Sequence, residues 1–365
     1  MRVILLGAGH IGQTIARLLA GTGDYRVTVI DRDEVALAHL DGLAVDTVCA
    51  ETDDVGALAG LLRGHDAVLN ALPYHLAART ATAALEARCH YFDLTEDVAA
   101  TRTIRALAEG ADTAFMPQCG LAPGFIGIVA HHMVRSFDTA REVKMRVGAL
   151  PAFPTNSLKY NLTWSVDGLI NEYCHPCEAL REGHLIEVLP LEGLEHFSLD
   201  GTEYEAFNTS GGLGTLCETL AGRVQSLDYK SVRYPGHQAL MRVLLEELQL
   251  RHHPETLKEI LRRAVPSTMQ DVVLVFVTVD GMRGGRFVQE VFARKIFAER
   301  ADGEPAVSAI QITTAAGVCA ALDLFRQGRL PSRGFIRQEQ VALTDFLDNR
   351  FGRAYQQYRQ VESIC

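Results

Sequence analysis

Short apolar runs alternate with stretches of helical periodicity through the first 125 residues. The run at 3–6 is followed by Ile11, Ile15, Leu18 and Leu19, which recur at the spacing of one helix face. The alternation continues, with predicted strands at 27–30, 45–48, 67–69 and 90–92 and predicted helices at 34–40, 55–62, 76–87 and 98–107. Strands separated by helices indicate right-handed crossovers, so the pattern predicts an α/β fold with a doubly wound parallel sheet of the Rossmann type.

Polar and glycine residues stand near the ends of the successive strands of this sheet. They are Gly7, Asp31, Asn70, Asp93 and Cys119. Doubly wound sheets bind ligands at the carboxyl ends of their strands, where the strand order reverses. The sequence therefore predicts a ligand site along this edge.

The first strand leads into the spacing Gly7-x-Gly9-x-x-Gly12, and Asp31 follows 19 residues after the last glycine. Gly7 permits a tight turn, Gly9 lets the backbone approach a pyrophosphate at the start of a helix, and Gly12 lets helix and strand pack closely. The Asp31 carboxylate can accept hydrogen bonds from ribose hydroxyls and would repel a 2′-phosphate, which favours NAD. The neighbouring Arg32 could instead pair with that phosphate and favour NADP, and a glycine turn in a domain that binds nothing is a further alternative. The predicted cofactor-binding residues are Gly7, Gly9, His10, Ile11, Gly12, Asp31, Arg32, Asn70, Ala71, Leu72 and Pro73.

Beyond residue 125 the pattern changes from alternating elements to a mixture. Strands are predicted at 142–147, 271–279 and 287–297, the last two joined by a turn at 280–285, and helices at 213–220, 237–248 and 257–263. Helical periodicity returns at 309–325 and 341–351. We therefore expect a Rossmann domain of residues 1–125 plus 310–365, interrupted by an inserted α+β domain with a mixed sheet at 126–309.

Composition narrows the possible partners. The chain has 365 residues and a net charge of −10, which argues against a nucleic-acid surface. Its apolar runs are far shorter than the ~18 residues of a membrane span. Because the chain begins directly with a strand rather than a signal-peptide pattern, we expect a cytoplasmic protein with no nucleic-acid or membrane partner.

The eight cysteines follow no disulfide framework, so we expect reduced thiols. Cys174 and Cys177 have the Cys-x-x-Cys spacing of redox and zinc sites. No second ligand pair and no thioredoxin-like context accompanies them, which favours incidental thiols. No metal site is predicted.

Several motifs along the chain resemble those of the saccharopine dehydrogenase-like family. They are Asn-Ala-Leu-Pro at 70–73, Tyr-Phe-Asp at 91–93, Cys-Gly-Leu-Ala-Pro-Gly at 119–124 and Arg-Tyr-Pro-Gly-His at 233–237. Within that family the chain looks most like the NAD-dependent L-lysine 6-dehydrogenase subfamily. The resemblance implies that the inserted domain binds substrate and forms homodimers or homotetramers. It also implies oxidation of a carbon that bears nitrogen.

For lysine, the implied reaction transfers a hydride from the ε-carbon to the nicotinamide and leaves an imine that water hydrolyses. The products are 2-aminoadipate 6-semialdehyde, which can cyclise to piperideine-6-carboxylate, together with ammonia and NADH. Presenting the ε-amine without its proton at about pH 7 costs about 4.6 kcal/mol, because its pKa is about 10.4. The site must therefore disfavour the ammonium form or provide a base.

Two residues are predicted to be catalytic. His237 follows a Pro-Gly turn and is the first candidate for the base, although it could instead cap or pack against a helix. Asp93 could anchor the α-ammonium group or position water for imine hydrolysis, with capping of the next helix as the alternative.

The remaining candidates would bind substrate. The planar fork of Arg233 suits the α-carboxylate, and a surface ion pair is the competing interpretation. Gly120, Pro123 and Gly124 predict a backbone loop that a ligand can approach closely, and Thr209 could contribute a hydroxyl contact.

Two other functions remain open at this point. A saccharopine or carboxynorspermidine dehydrogenase would carry out an NADP-linked reductive condensation and would have to hold a second carboxylate. An additional unpaired arginine would favour this reductive-condensation function. A dinucleotide sensor without catalytic activity is the third possibility.

Overall fold

The computed structural model describes residues 1–51, 53–298 and 307–356, which form mixed helical and extended structure. The strands of this part are β1 (Arg2–Leu6), β2 (Arg26–Asp31), β3 (Val45–Cys49), β4 (Ala67–Asn70), β5 (His90–Asp93), β6 (Ala114–Met116), β7 (Thr139–Pro151), β8 (Cys177–Arg181), β9 (His184–Val188), β10 (Glu195–Leu199), β11 (Thr202–Asn208), β12 (Ser226–Arg233), β13 (Asp271–Arg283), β14 (Arg286–Phe297) and β15 (Gly334–Phe335). Its α-helices are α1 (His10–Ala20), α2 (Glu34–Ala38), α3 (Val55–Leu62), α4 (Ala77–Ala87), α5 (Val98–Ala108), α6 (Phe125–Val134), α7 (Val166–Cys174), α8 (Leu216–Leu220), α9 (His237–Arg242), α10 (Pro254–Ala264), α11 (Ala309–Arg326) and α12 (Leu343–Asp348).

Residue contacts divide the chain into two units. The first unit comprises Met1–Ile128 and Gln311–Ala354, and the second comprises Val129–Ile310 together with the chain from Tyr355 onward. The predicted division at 125/126 and 309/310 lies within three residues of these crossings. It differs at the end of the chain, where the contacts assign Tyr355 to the second unit and residues 357–365 lie outside the described part.

The first unit is built on a parallel sheet with the order β15-β6-β5-β4-β1-β2-β3. The order reverses between β1 and β4, so β1 pairs with β2 on one side and with β4 on the other. Leu6 lies opposite Asn70, and Asn70 lies opposite Asp93, which aligns the carboxyl ends of three neighbouring strands. This arrangement confirms the predicted doubly wound fold.

Strands buried on both faces explain why the pattern identified this sheet. Positions 3–6 of β1 and all four residues of β4 are buried. Helices cover both faces of such a sheet, so its strands consist of continuous apolar runs.

Helix starts follow capping rules, since Asp54 accepts the Ala57 N–H at 2.6 Å and Asp97 accepts the Ala100 N–H at 2.7 Å.

The returning segment 311–354 is tied into the first unit by a buried carboxylate. Asp323 of α11 accepts hydrogen bonds from the Tyr25 hydroxyl at 2.5 Å and from Arg350 Nη2 at 2.8 Å. The edge strand β15 adds to the sheet by pairing in parallel with β6.

Helix α11 is long and apolar enough to cross a membrane. However, 78% of this 18-residue helix is buried inside the protein, as expected of a core helix.

The second unit contains a mixed sheet with the order β10-β11-β12-β7-β13-β14, and the β8–β9 hairpin joins it through β12. β12 and β7 are parallel, whereas the other pairs are antiparallel. The predicted α+β mixed sheet is confirmed, but the predicted six-residue turn at 280–285 is wrong. β13 and β14 continue to Arg283 and Arg286, and the turn is only Gly284-Gly285, both with positive φ.

The chain after β6 packs tightly against itself. Gly124 has a φ of +132°, and a Cβ on it would lie 2.1 Å from the Gly120 carbonyl oxygen. Only glycine fits there without moving the backbone.

We predict that Gly124→Ala destabilises the protein by roughly 2–5 kcal/mol, because it combines backbone strain with an overlap of backbone atoms. Gly127→Ala, three residues further along in α6, is the matched control, since its Cβ would meet nothing within 4 Å. Chemical denaturation of both variants measures the difference. Equal stabilities of the two variants would contradict this account of the loop.

Candidate functional site

The glycine turn between β1 and α1 has two glycines that the fold itself requires. Gly7 has a φ of +99°, and a Cβ on Gly12 would lie 1.9 Å from the Gly7 carbonyl oxygen. Gly9 is different, because its Cβ would meet no atom within 4 Å. The missing side chain of Gly9 therefore leaves open space above the first turn of α1, and no contact within the described residues accounts for it.

Helix α1 begins at His10 with Gly9 as its N-cap, and no side chain caps it. The N–H groups of a first helical turn and the helix dipole favour an anion, most of all a phosphate approached closely by backbone. Open space at Gly9 and an uncapped helix start fit the pyrophosphate of a dinucleotide. His10 and Ile11 lie in that first turn, as predicted.

Asp31 ends β2 beside the glycine turn. Its carboxylate accepts the Ala8 N–H at 2.6 Å and the Asp33 N–H at 2.9 Å, so two backbone groups hold it in place. Each oxygen keeps further acceptor capacity for a ribose hydroxyl. The adjacent Arg32 side chain is exposed and makes no ion pair with any described residue. Both groups that could decide between NAD and NADP are thus located together.

The segment 70–73 follows β4 and lies against the glycine turn. The Asn70 amide accepts the Leu72 N–H at 3.2 Å and donates to the Tyr91 hydroxyl at 3.3 Å. The Ala71 carbonyl oxygen lies only 3.0 Å from where a Cβ on Gly7 would be. Pro73 is exposed, so this segment borders the sheet edge where a dinucleotide would lie.

Asp93 ends β5 and is 1% exposed. Its carboxylate accepts hydrogen bonds from the Tyr91 hydroxyl at 2.6 Å and from the N–H groups of Thr95 and Gln118 at 3.0 and 2.8 Å. Burial raises the pKa of Asp93 to about 6, although these hydrogen bonds oppose the shift. The alternative in which Asp93 caps the next helix is wrong, because Asp97 caps α5.

The loop 119–124 is buried and its glycines have partners within the first unit. A Cβ on Gly317 of α11 would lie 2.5 Å from the Cys119 carbonyl oxygen, and Gly124 lies against Gly120. Gly120 and Pro123 are themselves buried. Packing of the chain against itself is sufficient to require glycine at 124, whereas a Cβ on Gly120 would make only ordinary contacts, the nearest at 3.4 Å from the Pro123 carbonyl oxygen. Approach of a ligand to this loop stays a prediction.

In the second unit, Arg233 ends β12 and is 3% exposed. Its Nε donates to the Tyr173 hydroxyl at 2.9 Å and its Nη1 to the Val232 carbonyl at 2.8 Å. The guanidinium lies over the rings of Tyr160 and Tyr173, at 5.1 and 5.7 Å. The alternative of a surface ion pair is wrong, because Arg233 is buried and has no carboxylate within 4.0 Å among the described residues.

His237 begins α9 and is 1% exposed. Its Nδ1 lies 2.8 Å from the Leu158 carbonyl oxygen, and its Nε2 lies 3.1 Å from the Tyr173 hydroxyl. Burial and, to a smaller extent, the charge of Arg233 together lower the pKa of His237 to about 3, although the hydrogen bond with the Leu158 carbonyl opposes the shift. The prediction that His237 takes the substrate's proton is not supported, because both ring nitrogens are occupied and so low a pKa makes a weak base.

Sequence reasoning missed the two tyrosines that surround Arg233. Tyr160 and Tyr173 are fully buried and belong to an apolar cluster that includes Phe207 of β11. A buried tyrosine resembles any other core aromatic residue in sequence, so no pattern marked either hydroxyl as a polar contact. Thr209, which follows β11, bonds through its hydroxyl to Ser231 at 2.8 Å and is also buried.

The Cys-x-x-Cys pair lies in the second unit, with Cys174 at the end of α7 and Cys177 at the start of β8. Both thiols are free. Burial raises the pKa of Cys177 to about 12, so it remains a protonated thiol near neutral pH.

The parallel sheet, the glycine turn and the uncapped helix define a Rossmann-fold protein with a dinucleotide-binding domain. Comparison with protein families places the saccharopine dehydrogenase NADP binding domain at residues 3–115 and the saccharopine dehydrogenase C-terminal domain at residues 120–351. The chain therefore belongs to the saccharopine dehydrogenase family.

Individual relatives are more distant. Mitochondrial alpha-aminoadipic semialdehyde synthase of Mus musculus is 24% identical over 198 residues, covering 51% of this chain and 21% of that protein. The Bos taurus protein of the same name is 22% identical over 199 residues, covering 52% and 21%. The chain thus spans about a fifth of the length of these curated relatives.

The fold also matches a solved structure, apo histidine-tagged saccharopine dehydrogenase (L-Glu forming) from Saccharomyces cerevisiae. The TM-score is 0.78 over 96% of this chain and 98% of that one, with 16% sequence identity. At this identity the match concerns the fold.

We predict that Gly9→Ala leaves the thermal unfolding temperature unchanged but weakens dinucleotide binding at least tenfold, because the new methyl group enters space that only a ligand needs. Calorimetric titration with NAD and NADP, alongside a melting curve, measures both quantities. Gly60→Ala in α3 is the control, since its Cβ also meets nothing within 4 Å. Unchanged affinity in Gly9→Ala would contradict the assigned pyrophosphate site.

Proposed function

We propose that this chain is an NAD-dependent oxidoreductase of lysine metabolism that removes the ε-amine of L-lysine and yields 2-aminoadipate 6-semialdehyde and ammonia. Family membership supports the oxidoreductase class, because the family descriptions name a dehydrogenase. The name of the curated relatives, an aminoadipic semialdehyde synthase, supports lysine-related chemistry.

The choice of substrate rests on which buried arginines are already paired with a carboxylate of the protein. Arg146 and Arg233 are the buried arginines of the described chain. Arg146 is neutralised by Glu195 and Asp228, whereas Arg233 has no carboxylate within ion-pair distance in the described part. One available buried guanidinium suits an amino acid with a single carboxylate, such as lysine. Saccharopine carries several carboxylates and would need more such groups.

The first unit would hold the cofactor. The uncapped start of α1 and the open space at Gly9 suit the pyrophosphate, and Asp31 suits the ribose hydroxyls of NAD. A bound nicotinamide supplies the hydride acceptor. The family description names NADP instead, and the exposed Arg32 is the residue that could serve its 2′-phosphate.

Proton transfer is assigned to Asp93 rather than His237. A carboxyl with a pKa of about 6 is mostly ionised at neutral pH yet remains basic enough to accept a proton. Its conjugate acid is neutral, so protonation relieves the cost of a buried charge. In this proposal Asp93 acts on the water or amine at the sheet edge, where β4 and β5 end.

The alternative within the family is a saccharopine dehydrogenase, in which an amine and a carbonyl compound are joined or separated with hydride transfer. The family descriptions favour it.

The decisive experiment is a panel of L-lysine, saccharopine and carboxynorspermidine with NAD and NADP, read by the ultraviolet absorbance of the reduced nicotinamide. We expect L-lysine with NAD to give reduction and release of ammonia. Turnover of saccharopine alone would replace the first proposal by the second. Dinucleotide binding without turnover of any amine would indicate a sensor.

We predict that Asp31→Ala weakens NAD binding roughly tenfold or more while NADP binding falls less, because the lost carboxylate serves a hydroxyl that NADP replaces with a phosphate. Arg32→Ala is the matched variant next door, and we expect it to leave NAD binding unchanged. Fluorescence titration with both dinucleotides measures the four constants. A wild type that prefers NADP, with that preference lost in Arg32→Ala, would reverse the assignment.

A further inference from the structure

A continuous hydrogen-bonded chain runs from the backbone at Leu158 through His237 and Tyr173 to Arg233. The Leu158 carbonyl can only accept, so His237 Nδ1 must carry the proton and Nε2 must be the acceptor. Tyr173 therefore donates its hydroxyl proton to His237 Nε2. The lone pairs of the same oxygen then face Arg233 Nε, which donates to them at 2.9 Å.

This direction of hydrogen bonds fixes the guanidinium in one orientation. Nε is held by Tyr173 and one proton of Nη1 by the Val232 carbonyl. The other Nη1 proton and one Nη2 proton point outwards along the end of the fork, and the second Nη2 proton lies beside Nε–H. Two parallel N–H groups on one edge match the two oxygens of a carboxylate.

That edge is available to a ligand. Nη2 of Arg233 has no hydrogen-bond partner among the described residues, and it is not one of their fully enclosed unpartnered polar atoms. Glu172 acts electrostatically on Arg233 without forming an ion pair with it. The rings of Tyr160 and Tyr173 support the faces of the guanidinium, so it cannot turn away from this edge without losing both contacts.

We infer that His237 and Tyr173 are positioning residues that orient Arg233 to bind the α-carboxylate of the amino-acid substrate end-on. This inference rests on the proposed function for the identity of the amino acid, but its chemistry requires only a carboxylate. His237 takes no proton in this arrangement. It contributes as a neutral acceptor whose tautomer the Leu158 carbonyl selects.

The test compares L-lysine with two analogues, each of which lacks one of its groups. 6-Aminohexanoate keeps the carboxylate and lacks the α-ammonium group, whereas 1,5-diaminopentane keeps both amines and lacks the carboxylate. Each, together with L-lysine, is titrated calorimetrically into the full chain with saturating reduced dinucleotide, which cannot accept a hydride, for the wild type and for Tyr173→Phe. Tyr204→Phe is the matched control, a buried tyrosine of the same unit that makes no contact with Arg233.

We expect Tyr173→Phe to weaken L-lysine and 6-aminohexanoate by the same factor, roughly tenfold, and to leave 1,5-diaminopentane within twofold. In turnover the KM should rise with kcat nearly unchanged, because the carboxylate is bound equally in the ground and transition states. A purely structural role would weaken all three ligands alike and overturns the inference, as does unchanged lysine affinity. If the wild type binds saccharopine and not lysine, the proposed function fails. The inference then still requires Tyr173→Phe to weaken saccharopine.

Nitrogen NMR of the histidine side chains measures the tautomer and protonation state of His237 independently. We expect His237 to remain the neutral Nδ1–H tautomer between about pH 5 and 9, in keeping with its buried position. A protonation midpoint within that range would overturn the positioning role and restore His237 as an acid–base group.

Discussion

The first unit depends on the parallel pairing of β1 with β4, because this is where the strand order of the sheet reverses. On one side of that junction the chain forms the glycine turn, and on the other it forms the segment from Asn70 to Pro73. The two come so close that the Ala71 carbonyl lies 3.0 Å from the position of a Gly7 Cβ. Asp31, Asn70 and Asp93 reach one edge only because the registers of β2, β4 and β5 are fixed relative to β1.

Sequence patterns predicted this unit well for a physical reason. A parallel sheet covered by helices buries both faces, so β1 and β4 are continuous apolar runs that cannot be confused with exposed structure. The glycine spacing adds conformational requirements that few other structures share. Local chemistry was less decisive for the helix starts, because Asp93 was considered as the cap of α5, which Asp97 caps.

The second unit was harder to predict because several of its strands, such as β9 and β10, are short and largely exposed. β9 and β10 alternate exposed with partly buried positions and contain charged residues, so they resemble polar loops. The β13–β14 hairpin was foreseen, but two glycines alone make the turn, and the strands extend past Gly281 through a register shift at 280/281. Neither periodicity nor composition indicates such a shift.

The roles of polar residues depended on burial, which sequence does not specify. His237 and Arg233 stand in one motif, yet the first is neutral and the second is charged, because a carbonyl at Leu158 and a hydroxyl at Tyr173 face them. These partners are distant in the sequence. Asp93 illustrates the same limit, since its raised pKa follows from enclosure and not from its neighbours along the chain.

The carboxylate of Asp323, which joins Tyr25 to Arg350, has a consequence for biosynthesis. The sheet formed by the strands up to residue 116 lacks β15 and this carboxylate until the intervening residues of the second unit have been synthesised. Until then β6 is an edge strand, because the side that β15 occupies is unpaired. The first unit therefore cannot be completed before the intervening part of the second unit has been translated.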